Sequence, residues 1–80
     1  MKDELHEFNR QVGQNLAYYR KRNGLTQENL AEKLNVNSRT VSRVENAGQR
    51  TNLDFFYKAS IVMSIPVSRF FEFRGEQIPE

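Results

Sequence analysis

The residues of this chain best suited to chemistry are its arginines and lysines. Eight of them lie between residues 9 and 50 with only three glutamates, which gives this stretch a net charge of +5, whereas residues 1–8 carry −2 and residues 51–80 carry −1. A basic block between acidic ends indicates a surface that faces a polyanion. Composition alone would favour the plainer alternative, a solvated charged face.

Catalytic chemistry has little support in this sequence. His6 is the only histidine, it lies in the acidic N-terminal stretch, and there is no cysteine. The four glycines are scattered and form no phosphate-binding loop. We therefore expect no catalytic residues, no metal site, no cofactor and no enzymatic activity.

The length of 80 residues allows one compact domain, with 38% hydrophobic and 28% charged residues. No stretch approaches the roughly 20 consecutive apolar residues of a membrane-spanning helix. The polar start of the chain is unlike a signal peptide. We expect a cytoplasmic protein.

Apolar residues recur at helical spacing throughout the chain. In the first helix the inward stripe is Leu5, Phe8, Val12, Leu16 and Tyr19. This helix should end near Asn23, before Gly24. Thr26 is a candidate N-cap for a second helix, although Asn29 stands where a capping box has Glu or Gln. Asn37 or Ser38 can cap a third helix that runs to about Asn46. Its inner residues are Val41 and Val44.

Two further helices complete an all-α domain. Asn52 should cap a fourth helix, and Pro66 suits the first turn of a short fifth helix. The inner residues predicted for the fourth helix are Leu53, Phe56, Ala59, Ser60 and Met63. The predicted organisation is an N-terminal extension of the first helix over 1–10, one main helical domain over 11–73 and a tail over 74–80.

The segment Gly24–Val36, GLTQENLAEKLNV, resembles the helix-turn-helix of phage-repressor-like (XRE-type, Cro/repressor) transcriptional regulators. The similarity continues through Ser38–Glu45, SRTVSRVE, and extends over residues 11–72. The resemblance implies a compact five-helix DNA-binding domain in which two short helices and their turn form the helix-turn-helix.

Specific roles follow from this resemblance. The family reads DNA bases from the positions occupied here by Ser38, Arg39 and Arg43. Arginine can form two parallel hydrogen bonds with guanine O6 and N7, which agrees with that role. Positions at the DNA backbone, or supporting the base-reading residues, are Gln27, Asn37, Thr40, Ser42, Asn46, Gln49 and Arg50. Each arginine taken alone also fits an ordinary surface charge.

Other family positions suggest structural roles. Arg20 and Glu45 resemble an ion pair that links the first helix to the end of the third. Gly13 lies inside a helical stripe, where glycine costs about 1 kcal/mol relative to alanine, so a close helix approach is the expected reason. In the family, the loop after the third helix usually begins with glycine directly after the Glu-x pair, whereas here Ala47 comes before Gly48. Thr51 stands where the family commonly has proline. These departures leave the register of the loop's phosphate contacts open by one residue.

The function predicted from the resemblance is a transcriptional regulator, most simply a repressor, that binds a palindromic operator in double-stranded DNA as a homodimer. The alternative is an antitoxin-type or protein-interaction module that also binds DNA. Under that alternative, the apolar residues near the C-terminus form a partner surface rather than core or dimer interface. These residues are Phe70, Phe71, Phe73 and Ile78.

Overall fold

The computed structural model describes residues 2–47 and 51–73, and regular structure in these ranges is entirely helical. Four α-helices are followed by one 3-10 helix. Their bounds are α1 Lys2–Arg22, α2 Gln27–Leu34, α3 Ser38–Glu45, α4 Leu53–Met63 and the 3-10 helix Val67–Phe71. The predicted all-α fold class is confirmed, while the predicted tail over 74–80 lies outside the described residues.

Short-range hydrogen bonds fix where the helices begin. The Thr26 hydroxyl accepts from the backbone N–H of Asn29 at 2.9 Å, and the Asn29 side chain accepts from the Thr26 N–H at 3.1 Å. Asn29 therefore completes a reciprocal capping box in the position usually held by Glu or Gln. The Asn52 side chain caps α4 by accepting from the N–H of Phe55 at 3.1 Å. Both caps join residues three apart, so the local sequence is sufficient to form them.

The core lies where α1, α2, α4 and the 3-10 helix meet, with α3 packed across α1 and α2. Leu16, Leu30, Val41 and Phe70 are completely buried. The Phe70 ring makes edge or tilted contacts with Tyr19 and Phe56. Phe71 and Phe73 are half-buried against the same core, so the described C-terminal aromatic residues are mainly core, and Ile78 lies outside the described residues.

Three details of the predicted helices are wrong. Leu53, expected to face inward, is 70% exposed, and Phe55 takes the inner position at 7%. Because α4 carries apolar residues on two sides, hydrophobic periodicity does not reveal which of them the core covers. Leu5 and Phe8 are also exposed rather than buried. The predicted short fifth helix is present as a 3-10 helix, but Pro66 precedes it as the N-cap rather than lying in its first turn.

An ion pair joins successive turns of α1 near its start. Arg10 Nε donates to Glu7 Oε1 at 2.9 Å, and Gln11 also donates to the Glu7 carboxylate. The hydrogen bond from Arg10 is the main reason that the pKa of Glu7 lies below its ordinary value. None of the helices described is both long enough and apolar enough to cross a membrane.

Candidate nucleic-acid interface

The turn between α2 and α3 is built from residues that stop one helix and start the next. Asn35 ends α2 in the left-handed conformation, with φ of 58°, and the N–H of Val36 donates to the Ala31 carbonyl at 2.9 Å. Asn37 then starts α3, because its side-chain oxygen accepts from the N–H of Arg39 at 2.7 Å. This three-residue connection sets the angle between α2 and α3 and so forms a helix-turn-helix.

Two arginines form the exposed face of α3. Val41 and Val44 bury the opposite face at 0% and 4% exposure. Arg39 and Arg43 are exposed, and neither guanidinium has a hydrogen-bond or ion-pair partner among the described residues. Four residues apart, they lie about one turn from each other on a rigid helix. Their donors are therefore free to bind an external acceptor such as a phosphate or a guanine base.

Smaller polar side chains surround these arginines. Ser38, Thr40 and Ser42 are half-buried along α3. The Asn46 side chain donates to the Ser42 carbonyl at 2.8 Å and so turns back onto the end of α3. Any Asn46 contact with a phosphate must use the second amide hydrogen, because the first is already donated.

A buried ion pair anchors the other end of α3. Arg20 Nε donates to Glu45 Oε2 at 2.6 Å, and Arg20 Nη2 donates to Glu45 Oε1 at 3.1 Å. The third nitrogen, Nη1, donates to the Leu25 carbonyl at 2.8 Å. Both charged side chains are less than 10% exposed. This two-bond geometry, with a third bond to the backbone, satisfies the charges that burial would otherwise penalise.

Gln27 joins the same network from the first residue of α2. Its Nε2 donates to Glu45 Oε1 at 2.9 Å, so α1, α2 and α3 meet at one carboxylate. The backbone N–H groups of Gln27 and Glu28 have no acceptor among the described residues. They lie at the positive end of the helix dipole, where a phosphate is a favourable ligand. Gln27 is thus placed to support α3 and to stand beside such a phosphate.

Gly13 permits α1 and α3 to approach closely. A Cβ atom at this position would lie 2.5 Å from the Val44 carbonyl oxygen and 2.6 Å from that of Glu45. Real side chains essentially never make contacts that short, so only glycine lets the end of α3 rest on α1. The expected close helix approach is present, and its partner is the backbone of α3.

The structure brings most of the predicted residues together on and around α3. Gln49 and Arg50, and the register of the loop at Gly48, lie outside the described residues. The sequence analysis did not predict that the Leu25 backbone carbonyl accepts a hydrogen bond from Arg20. No sequence signal marks this acceptor, because every residue carries the same backbone carbonyl. In the described part of the chain, no three His, Asp or Glu side chains converge as metal ligands do.

The fold and this exposed basic helix define a DNA-binding helix-turn-helix protein. A family model described as helix-turn-helix matches residues 16–70, which is more than half of the chain. The chain belongs to the XRE-type helix-turn-helix family of DNA-binding regulators. No curated protein matches it significantly.

Proposed function

We propose that this regulator is a repressor that acts in the cytoplasm and binds a palindromic operator as a homodimer. Each copy inserts α3 into the major groove. Ser38, Arg39 and Arg43 contact base edges there. The DNA backbone is contacted or supported by Gln27, Asn37, Thr40, Ser42, Asn46, Gln49 and Arg50.

One observation carries this proposal: the guanidinium groups of Arg39 and Arg43, which have no partner among the described residues, lie on the exposed side of a helix whose other side is buried. An α-helix fits the major groove, where guanine presents two acceptors at the spacing of a guanidinium. The buried network of Arg20, Glu45 and Gln27 supports this arrangement, because base-specific contacts need a rigid helix.

A homodimer follows from the small size of α3. Eight residues of helix reach only a few base pairs, so useful specificity requires two copies on related half-sites. The half-site centres should be about 10–10.5 base pairs apart, or a multiple of that spacing. Selection of bound fragments from random DNA, followed by footprinting, measures this directly. A single asymmetric half-site occupied by one copy would refute the dimeric operator.

The division between base contacts and backbone contacts is tested by substitution. Arg39→Ala or Arg43→Ala should cost about 1–3 kcal/mol on the selected site and relax the base preference at one position. Gln27→Ala should weaken the selected and scrambled sites by similar factors, since phosphate contacts carry little sequence information. Arg69→Ala is the matched control, because it removes one exposed arginine from the 3-10 helix, outside the helix-turn-helix.

Competition titrations against single-base variants of the selected site measure these effects. If both α3 variants keep the base preferences of the natural protein, α3 is not the base-reading element. Salt gives a second test: a dimer that neutralises about 6–10 phosphates should lose roughly 10³–10⁵-fold in affinity between 50 and 200 mM salt. A flat salt response would mean that the basic block faces something other than DNA.

A further inference from the structure

The helix α4 is apolar on two opposite sides, and the core covers only one of them. The inner side is formed by Phe55, Phe56, Ala59 and Met63. The outer side carries three apolar side chains four residues apart, Leu53, Tyr57 and Ile61, exposed by 70%, 60% and 60%. We call these three residues the α4 stripe. A contiguous exposed apolar patch of this kind marks a protein–protein contact more often than free surface.

We propose that the α4 stripe packs against the α4 stripe of a second copy, antiparallel, around a two-fold axis at Tyr57. This inference rests on the proposed homodimer and names the surface that forms it. The stripe is self-complementary because Leu53 and Ile61 are equally distant from Tyr57. An antiparallel pair therefore places Tyr57 against its counterpart and Leu53 against Ile61 of the other copy.

The spacing of the α4 stripe suits helix packing. Residues four apart form a continuous ridge on a helix surface, and two such ridges interdigitate at a crossing angle of about −50°. Interaxial distances of about 8–10 Å then bring the facing side chains into contact. Leu53 and its own counterpart would lie about 12 Å apart along the axis, at about 1.5 Å rise per residue.

Charge selects the antiparallel arrangement over the parallel one. The charged residues of α4 are Asp54 and Lys58, both exposed and both on the same flank of the stripe. Antiparallel packing brings the same flanks of the two helices together. At about 1.5 Å rise per residue, each Asp54 then lies about 3 Å along the axis from Lys58 of the other copy, and the two Lys58 residues lie about 3 Å from each other. Two attractive pairs therefore outweigh one repulsive pair. Parallel packing would place these flanks on opposite sides of the interface, and Asp54 of one copy would not come near Lys58 of the other.

The exposed apolar area also fits a second copy. Leu5 and Phe8 of α1, exposed by 45% and 44%, line the same groove as Leu53. Together with the α4 stripe they offer on the order of 500 Å² of apolar surface, against roughly 800 Å² per partner in a stable interface. Polar residues at the rim, including Asp54 and Lys58, can supply the remainder.

Sedimentation equilibrium of the full chain tests the proposal. Tyr57→Lys places two lysines against each other at the axis and should weaken dimerisation at least 10-fold. Tyr18→Lys is the matched control: it introduces the same residue at an aromatic position of α1 that is 44% exposed, and it should leave the dimer unchanged. Far-UV circular dichroism establishes that both variants remain folded, since both positions are exposed.

A charge exchange tests the orientation. Asp54→Lys and Lys58→Asp should each weaken the dimer about 3-fold or more, because each places like charges side by side. The double variant should regain the affinity of the natural protein. Parallel packing predicts no such recovery.

Cross-linking gives an independent answer, because the natural chain has no cysteine. With a short thiol-reactive bismaleimide, Tyr57→Cys should cross-link efficiently to itself. Leu53→Cys and Ile61→Cys should cross-link poorly alone and efficiently when mixed.

The outcomes separate this inference from the proposed homodimer. If the natural protein dimerises but Tyr57→Lys dimerises equally well, the α4 stripe is not the interface, although the homodimer stands. If the natural protein is a monomer both free and on its selected DNA, both proposals fail. Self-cross-linking of Leu53→Cys as strong as that of Tyr57→Cys would overturn the antiparallel geometry.

Discussion

Removing the Glu45 carboxylate should destabilise the whole domain. In Glu45→Ala, the buried Arg20 guanidinium keeps one of its acceptors in the described part of the chain, the Leu25 carbonyl, and Gln27 loses the Glu45 carboxylate. Breaking a buried ion pair from one side costs about 3–5 kcal/mol, because an uncompensated charge is left behind. For a domain of this size, 1 kcal/mol corresponds to about 4–8 °C, so the melting temperature should fall by at least about 12 °C.

The pairing itself is measured by a double-mutant cycle. Urea denaturation followed by far-UV circular dichroism gives the free energy of unfolding for the natural protein, Glu45→Ala, Arg20→Ala and the double variant. The double variant should lose less than the sum of the single losses, by about 0.5–3 kcal/mol, because neither charge is then stranded. The matched control is Arg69→Ala, whose ion pair with Glu72 is exposed and should be worth about 0–1 kcal/mol.

Two results would refute this reasoning about the buried pair. Additive losses in the cycle would mean that Arg20 and Glu45 do not interact. A loss below about 1 kcal/mol in Glu45→Ala would mean that solvent reaches the pair as it reaches a surface salt bridge.

Other predictions concern backbone fit, capping and pH. Gly13→Ala should destabilise the domain by about 1–3 kcal/mol in urea denaturation, although alanine has the better helix propensity, because the added Cβ meets two carbonyl oxygens of α3. An unchanged urea midpoint would contradict the close approach of α1 and α3. Gly24→Ala should cost only about 1 kcal/mol in the same assay, through its positive φ of 70°, since nothing lies within 4 Å. Asn37→Ala should cost about 0.5–2 kcal/mol by loss of the α3 cap, whereas Asn37→Asp should retain most of it. In carboxyl NMR titrations, Arg10→Ala should raise the pKa of Glu7 toward 4.5. Because that pKa is lowered in the folded protein, the stabilisation by Glu7 is present above pH 4.5 and is lost as the pH falls through the folded value. In Arg10→Ala, the free energy of unfolding should therefore depend less on pH in this range.

The sequence by itself determined the features that depend on neighbours a few residues away. The caps at Thr26 and Asn52 are contacts between residues three apart, so residue type and spacing were sufficient to place them. The exposed face of α3 was predictable for a similar reason. Val41 and Val44 are its only apolar residues, so only one side can face the core.

Only the tertiary structure decided which surfaces meet. The helix α4 carries apolar residues on two sides, so its packing against α2 and the 3-10 helix selected Phe55 for burial and left Leu53 exposed. Gly13 and the α3 carbonyls are about thirty residues apart, and backbone oxygens carry no residue-type signal. Family resemblance suggested the pairing of Arg20 with Glu45, but the bond from Gln27 to the same carboxylate followed from no local pattern. Contacts between distant residues depend on how whole helices pack, and that arrangement is fixed by the combined shape of the core rather than by any short stretch of sequence.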